Sequence, residues 1–429
     1  MHTFHKTYTI REYEGFARQK TLGKYQALPS ATFDALEQLV IASGSERADD
    51  ALALFSLSAK KGLGTVITAQ NYAGIVALST GDVIEILPKI AGKGIPTQDS
   101  RHVFLEMLKT VETEKFKSLG NAHLDIDSLP LLDVFIMMFL SAVSKIVKQG
   151  VRRSYEPIED NQNFYRGRLL VSANIAQNLW RRDRFFLRHD EFTLNVPENR
   201  LVKTTMRFVM GLTQSQRIQK QGAQLLTYFS GVEFSKNIGT DFQHCHGDRT
   251  MHGYQTVLCW CKVILCGQSF TPISGENVAL SLLFPLDKLF ESYVARIAQR
   301  VLAPVALLRV QDHRLSLFTQ PCRSFILRPD LVVEWEGGTA ILDTKWKILA
   351  QSSRNHGIAE SDMYQMFAYA KKYNARSVTL LYPQSDWIDE QGLSYVGEDD
   401  VAIKVRAIDM MEARNSIKHI LESSMSDPA

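Results

Sequence analysis

No apolar run in this chain approaches the roughly 20 residues that a membrane-spanning helix needs, so it is not expected to cross a bilayer as a helix. The opening MHTFHKTYTI lacks the basic-then-apolar profile of a secretory leader, and a cytoplasmic location is expected. Cysteine is scarce. The five present (Cys245, Cys259, Cys261, Cys266 and Cys322) are an odd number without a CxxC pair, which argues against a disulfide framework and for reduced thiols in or near cores. His244-Cys245-His246 beside Cys259 and Cys261 has none of the usual zinc-ligand spacings. A phosphate-binding GxxxxGK[ST] loop is also missing, because Gly23-Lys24 and Gly92-Lys93 lack both the earlier glycine and the following Ser or Thr. The chain is therefore expected to bind no nucleotide itself, and any motor it works with sits on another chain. Nor is there a repeat of 20 to 50 residues, which excludes a solenoid.

What is present is enough apolar material for real cores: 45% hydrophobic and 22% charged residues over 429 positions. At roughly 150 residues per domain this length implies about three domains. Short β-like runs broken by glycine occupy Tyr8 to Lys89, with a turn signal at Ser79-Thr80-Gly81-Asp82. Between them Ser30 to Leu57 reads as helical. From Arg101 the apolar spacing becomes that of helices, in VFLEMLKTV, in LPLLDVFIMMFLSAVSKIVKQG, from Asn199 to Thr213 and from Tyr254 to Cys266. The last third alternates again: a helix at Leu286 to Leu302, strands at Leu331 to Trp335 and Ala340 to Asp343, a helix at Ala359 to Tyr373 and a strand at Ser377 to Tyr382. The expected fold class is a multidomain α/β protein. Its parts are a β-rich domain at 1–97, with Ala91 to Pro96 as the boundary, a mainly helical middle domain at 98–275, and a mixed sheet flanked by helices at 276–429.

The net charge of +3 is unevenly spread. Between Lys145 and Arg188 ten basic residues face four acids, and the stretch is interleaved with Tyr155, Phe164, Tyr165, Trp180, Phe185 and Phe186. Such a segment fits phosphate contacts with stacking, for which Arg152, Arg153, Arg166 and Arg168 are the DNA-binding candidates. It fits a protein partner equally well.

The sharpest chemical signal is a hairpin. Arg328-Pro329-Asp330 opens one strand, and Asp343-Thr344-Lys345 closes the next after twelve intervening residues. Side chains alternate along a strand, so Asp343 and Lys345 share a face, and Asp330 comes opposite them if the hairpin is tight. Two carboxylates that hold one or two Mg²⁺ ions, beside a lysine that offsets charge growing on a phosphate, suit metal-dependent phosphodiester hydrolysis. Asp330 and Asp343 take the metal-ligand role, the Thr344 carbonyl is a further oxygen, and Glu291 on the preceding helix is another carboxylate candidate. Gln365 and Tyr369, one helical turn apart, complete the catalytic set. Lys347, two residues beyond Lys345, is a candidate for backbone contact with DNA.

The order Asp330, Asp343, Lys345 is of the PD-(D/E)xK nuclease type. With the run Asp362-Met363-Tyr364-Gln365-Met366-Phe367-Ala368-Tyr369-Ala370, it resembles the nuclease core of the McrC family. The resemblance extends through Gly150-Val151-Arg152-Arg153-Ser154-Tyr155, Tyr165-Arg166-Gly167-Arg168-Leu169, His189-Asp190-Glu191-Phe192-Thr193 and Glu198-Asn199-Arg200-Leu201, and from Gly74-Ile75 to Pro88-Lys89-Ile90. It implies an Mg²⁺-dependent endonuclease subunit of a modification-dependent restriction system that acts against foreign DNA. The partner it implies is an McrB-like AAA+ GTPase hexamer, which recognises 5-methylcytosine in double-stranded DNA and whose hydrolysis this chain stimulates. Two other readings share the same residues: a catalytically silent adaptor of the motor, and a stand-alone RecB-like repair nuclease.

Overall fold

The computed structural model describes residues 6–44, 54–90, 96–115, 129–245, 252–266, 278–303, 305–388, 391–397 and 401–426. The chain forms two compact units, one built on Pro130–Gln268 and the other joining His5–Glu114 to Ser269–Ala429. Among the described residues no helix is long and apolar enough to cross a membrane.

The discontinuous unit begins with two small sheets. In one, Tyr25–Leu28, Gly15–Arg18, Gly64–Ala69 and Phe55–Lys60 lie side by side. In the other the order is Thr7–Arg11, Val83–Leu87, Tyr72–Leu78 and Val278–Pro285. Val83–Leu87 and Tyr72–Leu78 are buried at every position, as expected of strands covered on both faces. The turn expected at Ser79 to Asp82 is there, closed by Leu78 N–H to the Asp82 carbonyl at 2.9 Å. The helix Ser30–Gly44 puts Phe33, Leu36 and Leu39 into one core with Phe16, Ile67, Val76, Ile84 and Leu283. The helix expected over Ser30 to Leu57 is present as Ser30–Gly44, and residues 45–53 lie outside the described residues. Phe55 to Leu57 belong to a strand paired with Gly64–Ala69, because the polar turn between them lets the two segments close a ladder. The boundary expected at Ala91 to Pro96 lies almost wholly outside the described residues.

Val278–Pro285, which opens the segment expected as the third domain, is the edge strand of this second sheet, antiparallel to Tyr72–Leu78. It runs directly into the helix Leu286–Leu302. Beyond it stands a six-stranded mixed sheet in the order Leu307–Val310, Leu331–Trp335, Gly338–Thr344, Ser377–Pro383, Ala402–Ile408 and Leu393–Val396. Its central pairings are parallel and its flanking ones antiparallel. The helix Glu360–Tyr373 lays Met366, Tyr369 and Ala370 onto Ile341, Val378, Leu380 and Val405. Helices Leu286–Leu302 and Ala413–Ser426 pack on the same sheet and on each other. The α/β order expected for the last third is the order observed.

The other unit contains three of the expected helices, as Leu131–Gln149, Pro197–Met210 and His252–Cys266, whereas VFLEMLKTV forms part of the helix Thr97–Lys115 and belongs to the discontinuous unit. Leu131–Gln149 buries Leu132, Phe135, Ile136, Phe139, Val143 and Ile146 along one stripe. The same unit also contains a long antiparallel pair, Ser154–Gln162 with Phe185–Thr193, absent from the sequence reading of a helical middle region. SYEPIEDNQ has too few apolar residues to show an alternating pattern, so its pairing follows from its partner strand. All five cysteines are free, but Cys266 and Cys322 are exposed rather than in cores.

Gly74 shows where backbone geometry constrains this scaffold. Its φ is +139° and a Cβ there would stand 1.9 Å from the Leu282 carbonyl oxygen, so only glycine permits the approach of the two strands. Gly74→Ala should lower unfolding stability by roughly 2 to 4 kcal/mol. Equilibrium urea denaturation checks this, and a midpoint equal to that of the wild type would refute the close approach.

Candidate active site

A two-residue connection, Glu336-Gly337, joins Trp335 to its partner Gly338. Gly338 adopts φ +146°, and a side chain at Gly337 would collide with the Trp335 indole. The tight turn fixes the register. Leu331 faces Leu342, and one step further along the same register Asp330 stands opposite Asp343. Asp330 Oδ2 accepts hydrogen bonds from the Thr344 N–H and hydroxyl, both at 2.7 Å. Asp343 is 1% exposed, and its Oδ2 lies 2.6 Å from Lys345 Nζ. The Lys345 N–H continues the ladder to the Leu381 carbonyl at 2.8 Å. That bond keeps Lys345 in extended register with Asp343, so the two side chains meet as their spacing requires.

Neighbouring helices bring in the remaining groups. Glu291 is half-buried on Leu286–Leu302, accepts from Gln311 Nε2 and is close enough to Asp330 to feel its charge. On Glu360–Tyr373, Gln365 Nε2 donates to the Tyr369 hydroxyl at 2.7 Å. Tyr369 is 1% exposed and faces both Asp343 and Asp330. Asp330, Asp343, Lys345, Glu291, Gln365 and Tyr369 therefore gather in one place. Two residues absent from the sequence reading of the site join them. Asp362 Oδ1 lies 4.0 Å from Lys345 Nζ, and the buried Tyr382 faces both Asp362 and Asp343. Asp362 precedes Gln365 by three positions, so the helical period already placed it on that face. Tyr382 carries no such signal.

The electrostatics are those of crowded, desolvated carboxylates. Burial first, and then the charge of Asp330, pushes Asp343 up to about 7 against the pull of Lys345. Burial also raises Asp330, against the two Thr344 hydrogen bonds that lower it. Glu291 is raised by burial and by Asp330. For Lys345 burial works downward, but Asp343, Asp362 and Asp330 outweigh it and the ammonium is raised. Tyr369 is pushed up to about 12 by burial and Asp343, so its hydroxyl keeps its proton.

One lysine thus leaves more negative potential than it neutralises. The donors are hard oxygens, and among the described residues no three Asp, Glu, His or Cys side chains converge as a metal cage. Oxygen donors of this kind suit Mg²⁺, a hard cation that keeps several of its own waters, better than zinc. His246 lies outside the described residues.

The expected DNA-contacting residues fare differently. Lys347 Nζ donates to the Gly357 carbonyl at 2.5 Å and so holds the adjacent loop. Arg152, Arg153, Arg166 and Arg168 lie in the other unit. Arg152 is engaged structurally, with Nη1 2.5 Å from Glu198 Oε1 in a mostly buried pair. Arg153, Arg166 and Arg168 are exposed. Arg153 lies over the Phe192 ring and Arg166 over the Phe164 ring, each at 5.9 Å.

The family model for the McrBC 5-methylcytosine restriction system component matches residues 67–383, well over half of the 429. A chain of the refined half-complex from the tetradecameric assembly of Thermococcus gammatolerans McrB AAA+ hexamers with bound McrC aligns with a TM-score of 0.69 at 19% identity, covering 97% of this chain and 99% of that one. A chain of the Thermococcus gammatolerans McrBC complex, solved by cryo-electron microscopy, aligns at 0.50 with 21% identity over 69% of this chain and 88% of that one. At these identities the likeness speaks for the fold. No curated protein matches.

The raised Asp343 has a signed consequence for stability. Its carboxyl ionises near 4 when unfolded and near 7 when folded, so between these values the unfolded chain holds fewer protons and rising pH favours it. In chelator, the wild type should lose stability relative to Asp343→Asn as pH rises from about 4 to about 8, by roughly 1 to 3 kcal/mol. Thermal unfolding at matched pH values checks this, and parallel curves for the two proteins would contradict it.

Proposed function

This chain belongs to the McrBC family of 5-methylcytosine restriction system components, and from that premise we propose that it is the nuclease subunit, cutting duplex DNA with Mg²⁺ in company with an AAA+ GTPase. The observation that carries the reading is the convergence of Asp330, Asp343 and Lys345 at the end of one hairpin, with Asp343 Oδ2 2.6 Å from Lys345 Nζ. The six-stranded mixed sheet with helices packed on it agrees with a PD-(D/E)xK nuclease domain. The absence of a nucleotide-binding loop from the sequence agrees with a motor on a separate chain.

Asp330 and Asp343 would hold the metal, with the Thr344 carbonyl and Glu291 as further oxygen donors. When bound, Mg²⁺ lowers the pKa of a coordinated water and offsets charge on the scissile phosphate. The chain's own groups do the rest. Thr344 holds Asp330 through two hydrogen bonds and so sets the direction of its free oxygen. Lys345, kept protonated by Asp343 and Asp362, supplies a fixed ammonium to a non-bridging phosphate oxygen, where it stabilises the charge that develops. Tyr369, oriented by Gln365, offers a hydroxyl that stays protonated. Arg153, Arg166, Arg168 and Lys347 are candidates for backbone contacts to DNA. The partner is an McrB-like hexamer of the kind assembled with McrC in the Thermococcus gammatolerans complex, and recognition of the methylated base belongs to it.

The test is cleavage of methylated plasmid with Mg²⁺ and GTP, with and without the AAA+ protein encoded alongside. The wild type should cut only with its partner. Lys345→Ala and Asp343→Ala should lower the cleavage rate by roughly 10³-fold or more, while Asp343→Ala still binds the partner and stimulates GTP hydrolysis. Partner-independent cutting would instead mark a repair nuclease. A wild type that stimulates the GTPase but never cuts would mark an adaptor.

A further inference from the structure

One buried carboxyl far from the hairpin in sequence touches the strand that carries it. Glu12, just past the end of Thr7–Arg11, is 2% exposed. Its Oε1 accepts from the Trp346 indole N–H at 2.8 Å and from the Lys89 backbone N–H at 3.0 Å. Its own N–H donates to the Leu87 carbonyl at 3.0 Å. Three segments thus meet on one side chain: the first strand, the chain leaving Val83–Leu87, and the residue between Lys345 and Lys347. The Trp346 ring is 8% exposed and packs edge to face on Phe290, centroids 5.2 Å apart. Phe290 neighbours Glu291 on the helix that springs from Val278–Pro285. That helix is anchored to the same small sheet, through the pairing of Val278–Pro285 with Tyr72–Leu78 and the bond from Leu286 N–H to the Asn71 carbonyl at 3.2 Å.

We propose that Glu12 is a positioning residue for the nuclease reaction: by holding the Trp346 indole it fixes how the chain leaves the catalytic strand, and makes the N-terminal sheet part of the cutting centre. The inference rests on the nuclease reading above. A side chain that only filled space there would be apolar, since an unpaired buried carboxyl oxygen is costly, and Glu12 Oε2 has no hydrogen-bond partner among the described residues. Glu12 spends that cost on orienting an indole whose ring sits between the lysine's strand and the helix of Glu291. Lys345, beside Asp343, and Glu291, which feels the charge of Asp330, are then referenced to one small sheet. Small displacements at such a centre cost rate rather than substrate binding.

The test uses the full chain with its AAA+ partner, methylated plasmid and Mg²⁺. Trp346→Phe keeps the ring on Phe290 and removes the N–H, Glu12→Ala removes the acceptor, and Glu12→Gln keeps an acceptor oxygen. Trp346→Phe and Glu12→Ala should each lower kcat roughly tenfold at unchanged KM for DNA, with Glu12→Gln within about twofold of wild type. The double variant Glu12→Ala, Trp346→Phe should be no slower than Glu12→Ala alone, since that single substitution already removes the bond that Trp346→Phe removes. A second readout needs no cutting. In ¹⁵N-tryptophan spectra, the indole signal missing from Trp346→Phe should move in Glu12→Ala and return toward its wild-type place in Glu12→Gln. Wild-type kcat in Trp346→Phe, a Glu12→Gln as slow as Glu12→Ala, or an indole signal unmoved by Glu12→Ala would overturn the proposal. A wild type that cuts nothing would overturn the nuclease reading instead, an outcome distinct from a cutting wild type matched by Trp346→Phe.

Discussion

The register between Leu331–Trp335 and Gly338–Thr344 is the constraint on which the candidate site depends. Side chains alternate with a period of two, so a slip of one residue would turn Asp343 and Lys345 into the opposite face and leave Asp330 without its partner. The connection of two residues at Glu336-Gly337 leaves little room for such a slip. On the correct face, Ile341 lies in the core beneath Met366 and Tyr369, and Asp343 follows it two residues later. The same alternation that buries Ile341 thus delivers Asp343 to the end of the strand, where it is desolvated.

Desolvation then sets the chemistry. Buried carboxyls that repel one another are raised, and a fold retains such groups where something else compensates. Here Lys345 compensates in part, Thr344 supplies two hydrogen bonds to Asp330, and a hard cation completes the balance in the proposed nuclease. Asp362 extends this logic, because a second carboxylate 4.0 Å from Lys345 Nζ helps to keep the ammonium charged. The Glu12 bond to Trp346 adds a mechanical component, connecting the strand exit to a sheet made at the other end of the chain.

The parts legible in the sequence were those with a strong local period. The hairpin, the helices on either side of it and the Gln365 and Tyr369 pair were readable because alternation and helical spacing both act within a few residues. Asp362 was equally readable by spacing, but a lone acid on a helix face is ordinary without its lysine in view. The pair Ser154–Gln162 and Phe185–Thr193 escaped notice because a mostly polar strand is defined by its neighbour rather than by its own pattern. Phe55 to Leu57 were misread for a related reason: a short apolar run is ambiguous between helix and strand until its partner is known.

Sequence alone determined that Asp330, Asp343 and Lys345 meet at the end of one hairpin, since its turn and alternation are local properties. Tertiary structure decided what those residues touch. Glu291 reaches Asp330 from a helix that begins some forty positions earlier, and Glu12 reaches Trp346 across 334 positions. Val278–Pro285 completes a sheet otherwise built from the first ninety residues. Contacts of this kind are set by which apolar faces must be buried together, and no short-range spacing records that choice.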